Sequence, residues 1–310
     1  MITVLSLSPA IDKIYFINDF SAGNLYRVGD YQISAGGKGI NVARVLSQLG
    51  VSANVLGFKA GSNGEWLHSS VCKLGCTTNF ITVEGQSRIN NNIIDLVNNT
   101  ETEILEAGPV ISRQSWDAFL ELFSEQIKNQ KYLVCSGGLP KGLDHFTYAR
   151  LIKIAKENGV ITILDSSGDI LSAGIEAGPF IIKPNIRELS NYCGKNIKSD
   201  EDVYTAAKGI IKKGVGAVCI SLGRDGAMLV TDKEAYKAKA MDITTINSIG
   251  SGDSMVAGIC YSLIKGKTVA EGLKLGCACG ASNAEFGQIG HIDIDRVWQL
   301  YDNVELVQFA

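Results

Sequence analysis

Proline and histidine are scarce in this chain of 310 residues, which holds 5 prolines and 3 histidines. So few prolines argue against a proline-rich linker, and no internal repeat or low-complexity tract stands out. The histidines (68, 145 and 291) are scattered, which excludes a His-based metal cage. None of the eight cysteines forms a C-x-x-C pair. Most sit in apolar surroundings, so buried thiols are expected rather than disulfides or zinc ligands. The formal net charge is only -3 and no basic run occurs, which excludes broad attraction to nucleic acid or an anionic membrane. Any phosphate site must therefore be local. Long apolar runs are also missing. The opening segment Met1 to Leu7 has no basic flank and is too short for a signal peptide, and no later segment approaches a membrane span. A cytoplasmic protein is expected.

What is present is 45% hydrophobic and 20% charged residues, the balance of a globular protein with a substantial core. Short apolar runs alternate with helical patterns. Strands are predicted at 2–7, 53–58, 131–135, 160–164, 179–182, 216–220 and 226–230, and helices at 39–49, 63–73, 115–129, 144–158, 200–213, 253–265 and 268–286. This βαβ rhythm implies an α/β fold with a mostly parallel sheet between helical layers. Two regions break it, about 13–34 and about 80–106; the second contains a hairpin with an Asn-rich turn at 98–100. They are expected to form either a small β-lid projecting from a single domain of 1–310 or ordinary edge strands of the central sheet.

The most informative segment is Ile249-Gly250-Ser251-Gly252-Asp253-Ser254, a turn of tiny residues leading into an apolar helix. Backbone N–H groups with little side-chain bulk can close around a phosphate at the positive end of a helix. Asp253 there can either cap the helix or take a proton from an attacking hydroxyl. Upstream, Gly36-Gly37-Lys38-Gly39-Ile40-Asn41 is a second glycine turn feeding a helix. It lacks the spacing of a Walker loop. Lys38 can meet a phosphate and Asn41 can serve sugar hydroxyls, or the segment can be a structural turn.

Four more segments sit where open α/β sheets bind ligands, near predicted strand ends. Asp12 follows the first strand, and Ser136-Gly137-Gly138-Leu139-Pro140 follows another. In Lys183-Pro184-Asn185-Ile186-Arg187-Glu188, Asn185 and Glu188 share a face and can either organise water around Mg²⁺ or cap a helix. Ser221-Leu222-Gly223-Arg224-Asp225-Gly226 can close a hairpin or let a nucleotide lie against the backbone. Arg27 and Arg88 fall in the lid segments, as anion clamps or as solubilising charges.

The order of these motifs along nearly the whole chain resembles the ribokinase-like (phosphofructokinase B type) carbohydrate kinases, in the branch of 1-phosphofructokinase and tagatose-6-phosphate kinase. The resemblance implies a three-layer α/β/α fold with a β-lid that pairs with a second subunit, so a homodimer is expected. It implies ATP and Mg²⁺ as cofactors and phosphorylation of a ketohexose monophosphate to a bisphosphate. Asp253 would be the base, and the amides of Gly250, Ser251 and Gly252 the anion hole. Asp12, Gly36, Gly37, Lys38, Asn41, Arg88 and Asn90 would hold the sugar phosphate, with Arg27 assisting. Lys183, Asn185, Ser221, Gly223 and Gly226 would serve ATP, Asn185 and Glu188 would act on Mg²⁺ through water, and Asn283 would lie beside the adenine. Arg88-Ile89-Asn90 marks the sugar-phosphate branch. Ser8 and Gly138 depart from it, standing where related sequences often carry Asn and Ser. A kinase of an unphosphorylated sugar or nucleoside, and a non-catalytic sugar-phosphate sensor, are the competing readings.

Overall fold

The computed structural model describes residues 1–309. In chain order the strands are β1 (Ile2–Ser6), β2 (Ala10–Ile17), β3 (Tyr31–Gly36), β4 (Asn54–Ala60), β5 (Thr77–Val83), β6 (Arg88–Asp95), β7 (Thr100–Leu105), β8 (Tyr132–Ser136), β9 (Ile161–Asp165), β10 (Ile181–Ile182), β11 (Ala217–Ser221), β12 (Ala227–Thr231), β13 (Ala235–Ala238) and β14 (Leu306–Gln308). The helices are α1 (Lys38–Gln48), α2 (Gly61–Lys73), α3 (Arg113–Ile127), α4 (Thr147–Glu157), α5 (Gly168–Glu176), α6 (Ile186–Cys193), α7 (Asp200–Ile211), α8 (Ser251–Ile264), α9 (Val269–Ala284) and α10 (Ile294–Asn303).

Ten strands form one sheet in the order β14-β13-β12-β11-β10-β9-β8-β1-β4-β5. The stretch from β11 to β5 is parallel, while β12, β13 and β14 are added antiparallel at one edge. Alternating side chains feed two cores. Ile2 and Val4 pack with α1, α8, α9 and α10 on one face, and Leu5 and Leu7 pack with α3, α4, α5 and α7 on the other. Burial on both faces accounts for the continuous apolar runs read as strands. Chain order leaves β1 in one direction toward β4 and β5, whereas β8 to β11 extend the other way. The switch point between β1 and β8 opens a crevice beyond the strands' C-terminal ends.

Four strands form a separate sheet, β3-β2-β6-β7. Two expectations need correction. Asp12 is not at the end of a central strand but inside β2, which leaves β1 after a short turn and pairs with β6 in the lid sheet. Residues 80–83 belong to β5, the edge of the large sheet, because that strand pairs along its length with β4. Helix α6 starts on a capping box, with the N-cap Asn185 Oδ1 accepting from the Glu188 amide at 2.8 Å and Glu188 Oε2 from the Asn185 amide at 2.8 Å.

Candidate active site

The glycine turn before α1 owes its composition to a carboxylate. A Cβ on Gly36 would fall 1.9 Å from Asp12 Oδ2, so only glycine lets the paired strands β2 and β3 hold Asp12 there. Next to it, Gly37 takes φ 86 as the N-cap of α1 and turns the chain into the crevice. Asp12 Oδ1 accepts from Asn90 Nδ2 at 2.7 Å across the β2/β6 register, and Arg88 Nη1 donates to Asn90 Oδ1 at 2.8 Å. Burial pushes the Asp12 carboxyl above its ordinary range, against the pull of Asn90 and Arg44.

A cavity of about 720 Å³ is lined by Asp12, Lys38, Asn41, Arg88, Asn90 and Asp253, together with Gly37 and Gly250. A larger cavity of about 1190 Å³ is lined by Ser221, Gly223 and Gly226 on one side and by the small residues Gly276, Cys277, Gly280 and Ala281 of α9 on the other. Ser221 and Gly252 line both cavities. Asp253 lines the smaller cavity and follows Gly252 directly in the chain. Its carboxyl is buried and its titration is pushed up to about 6, chiefly by loss of hydration and also by Asp165 nearby, with Lys38, Asn41 and Lys183 opposing. An ionisation so close to neutral pH suits a proton acceptor.

The anion-hole expectation is narrowed. Gly250 has φ 84, which glycine tolerates, but the Ser251 amide already donates to the Ser248 carbonyl at 3.2 Å. Among the described residues no acceptor reaches the amides of Gly250, Gly252 or Asp253. These are the donors left to a phosphate.

Asp165, which carries no expected role from the motifs, sits between two of the predicted site lysines. It ends β9, fully buried, with Lys38 Nζ 3.3 Å from Oδ2 and Lys183 Nζ 3.2 Å from Oδ1. The Lys183 contact lacks hydrogen-bond geometry, so Oδ1 retains an open acceptor site. The paired cations hold the Asp165 carboxyl low despite its burial, and Asp165 in turn holds Lys38 firmly protonated. A carboxylate at a strand's C-terminal end was the available signal, the same one that drew attention to Asp12. Glu103, on β7, also lines the smaller cavity and was not singled out.

Two expected contacts are not formed. Arg27 is exposed in the segment between β2 and β3 and lines neither cavity. Asn283 is fully buried behind the turn at 249–252 rather than beside a base pocket. Its Nδ2 donates to the Ile249 carbonyl at 3.0 Å, and its Oδ1 accepts from the Gly290 amide at 2.7 Å and from Ser254 Oγ at 3.3 Å. With its polar atoms engaged, Asn283 is a clamp on the turn. Lys183, Asn185 and Ser221 line the smaller cavity; Glu188 lines neither, lying one helical turn behind Asn185.

A pfkB family carbohydrate kinase model matches residues 3–288. The chain belongs to the pfkB family of carbohydrate kinases. This kinase is 35% identical over 311 residues to a tagatose-6-phosphate kinase from Staphylococcus epidermidis, covering 99% of this chain and 100% of that one. It is 34% identical over 290 residues to a 1-phosphofructokinase from Bacillus subtilis, covering 94% of each. The structure of phosphofructokinase-2 from Escherichia coli in complex with fructose-6-phosphate superposes with a TM-score of 0.88 at 26% identity, covering 98% of this kinase and 99% of that chain. As in other kinases of this family, the phosphoryl donor is ATP.

Proposed function

We propose that this kinase transfers the γ-phosphoryl group of ATP to a free hydroxyl of a ketohexose monophosphate, giving a bisphosphate and ADP. One observation carries the reading: Asp253 lines the smaller cavity together with Asp12, Lys38 and Arg88, and its chain neighbour Gly252 lines both cavities. Asp12 is suited to accept hydrogen bonds from sugar hydroxyls, and Arg88 and Lys38 to meet the phosphate the sugar already carries. The relatives named for tagatose 6-phosphate and fructose phosphates support that substrate class.

In the reaction a new bond joins the acceptor oxygen to the γ-phosphorus, and the bond from that phosphorus to the bridging oxygen of ADP breaks. The acceptor's proton passes to Asp253. The free amides of Gly250, Gly252 and Asp253 are available for the charge on the transferring group. Lys183 supplies a further buried cation next to Gly252, with Nζ 3.3 Å from where a Cβ there would stand.

Asn185, which lines the smaller cavity, and its capping-box partner Glu188 carry the oxygen donors a hard divalent cation brought with the nucleotide prefers. Glu188 and Asn185 are committed to their capping box, and no cluster of three or more His, Cys, Asp or Glu occurs among the described residues. This fits Mg²⁺ held through water and phosphate oxygens; when bound, the ion would neutralise phosphate charge. A homodimer through the lid is part of the same reading, supported by the exposed apolar Tyr31, Ile33 and Ile104 on its outer face. Eight cysteines without a disulfide suit the reducing cytoplasm.

The test is a rate survey with Mg-ATP and fructose 1-phosphate, fructose 6-phosphate, tagatose 6-phosphate, the corresponding free sugars and nucleosides. Turnover of a phosphorylated ketose, with one ADP per bisphosphate, is expected. Turnover of free sugars or nucleosides alone would overturn the substrate class, and tight binding without turnover would overturn the enzyme.

A further inference from the structure

Arg44 lies in α1 one turn after Asn41 and is the one charged residue in a buried stretch from Ile40 to Leu46 that is apolar apart from these two. Its guanidinium makes three bonds. Nη1 donates to Asn41 Oδ1 at 3.1 Å and to the Ile289 carbonyl at 3.0 Å, and Nη2 donates to the Ala35 carbonyl. On its far side, Asn41 Nδ2 donates to Asp253 Oδ2 at 2.9 Å.

The direction of this chain follows from what each group can do. Guanidinium has donors and no acceptor, so the oxygen of the Asn41 amide must face Arg44. The amide nitrogen then faces Asp253, and since it can only donate, Oδ2 must accept. A proton arriving from substrate is left the other oxygen, Oδ1.

We propose that Arg44 is a positioning residue for phosphoryl transfer: by holding the Asn41 amide with its nitrogen toward Asp253, it commits Oδ2 as an acceptor and reserves Oδ1 for the proton. The proposal rests on Asp253 being the proton acceptor. Without Arg44 the amide is free to turn over and present its oxygen to the carboxyl, an arrangement that favours the protonated acid. Lys38 and Lys183 oppose that change and Asp165 promotes it, so these charges must remain intact in any test. Arg44 also acts through its charge, which is felt by both Asp12 and Asp253. A purely structural staple, tying α1 to Ala35 and Ile289, would keep the effect of the charge but have no effect that depends on Asn41.

The experiment measures kcat against pH for the wild-type enzyme, Arg44→Met, Arg44→Lys and Asp253→Asn, each checked for folding by thermal melting. Wild type is expected to lose activity on the acid side near pH 6. In Arg44→Met the acid limb should move up by roughly one pH unit, with KM for ATP little changed. Arg44→Lys keeps the charge but loses the planar fork of donors, and its limb should fall between the two. Arg44→Met should move the limb less in an Asn41→Ala background than in the wild-type background, because the orienting effect runs through that amide and only the direct effect of the charge is left. If Arg44→Met does not fold, Arg44→Gln replaces it: its amide can turn either way, so the same upward shift is expected. A folded Met or Gln variant with an unmoved acid limb overturns the proposal, as does an equal shift with and without Asn41. Wild-type turnover in Asp253→Asn would overturn the base assignment as well, whereas loss of turnover there beside an unmoved limb overturns the role of Arg44 alone.

Discussion

Lys38 Nζ lies 3.3 Å from Asp165 Oδ2, although 127 residues separate them in the chain. With Lys183 on the other oxygen, Asp165 binds the helix α1 turn to the end of β9 and to the segment after β10. Asp165→Asn strips two cations of their shared partner, and breaking such a buried arrangement costs about 3–5 kcal/mol. The Asp165 carboxyl is held below its ordinary value, so this stability is present above pH 3.8 and is lost as pH falls below it. Denaturant melts should show a large deficit for the variant at pH 7 that shrinks toward pH 3. Its residual activity should have an acid limb at lower pH than wild type, because a carboxylate that holds up the ionisation of Asp253 is gone.

Asp253→Asn is expected to trade activity for stability. Burial raises the carboxyl to about 6 from an ordinary 3.8, so the folded state binds the proton more tightly than the unfolded chain. The group's contribution to stability therefore declines as pH rises through that window, and its cost is complete above pH 6. Replacing it with a neutral amide should stabilise the fold by on the order of 2 kcal/mol at pH 8 and by little at pH 4. Turnover should fall about 10²–10⁴-fold. Equal stabilities at pH 8 would contradict the burial argument.

Arg88 is half-buried on the cavity wall, held by Asn90 Oδ1 and, at 3.4 Å, by the Ser8 carbonyl. Removing a charge-assisted bond costs about 1.5–3 kcal/mol. Arg88→Ala should thus raise KM for a phosphorylated ketose about 10–100-fold, with KM for ATP within about twofold. An unchanged sugar KM would mean that Arg88 does not meet the substrate phosphate.

Glu101, on the lid hairpin, crosses to the segment just before α8: Oε1 accepts from the Ser248 amide at 3.0 Å and from its hydroxyl at 3.2 Å. Both residues line the larger cavity, so this contact ties the lid hairpin down over that cavity. Glu101→Ala should loosen closure and admit water to the γ-phosphate. ADP release without sugar phosphate, low in the wild-type enzyme, should then rise. The same low rate in both proteins would refute a latch at this contact.

The elements most readily read from sequence are those decided by near neighbours. Buried parallel strands such as 131–135 and 160–164 announce themselves as apolar runs, and the turns at 36–39 and 250–253 through glycines that clear room for Asp12 and a helix start. The short antiparallel strands β13 and β14, by contrast, carry little pattern of their own. They exist because each pairs with an edge already formed.

Side-chain partnerships belong to the folded chain. Asn283, read beside adenine, is consumed by backbone groups of the turn, and Arg27 stays outside the cavities because its segment runs over the surface. The sequence by itself determined a parallel α/β fold, two glycine turns and a carboxylate at the start of a helix, since backbone sterics and hydrophobic periodicity act over a few residues. Tertiary packing alone decided that Asp165 would sit between two lysines and that Arg44 would face Asn41 with Asp253 beyond it. Those contacts span up to 212 residues, and only burial in a common core brings such groups within bonding distance.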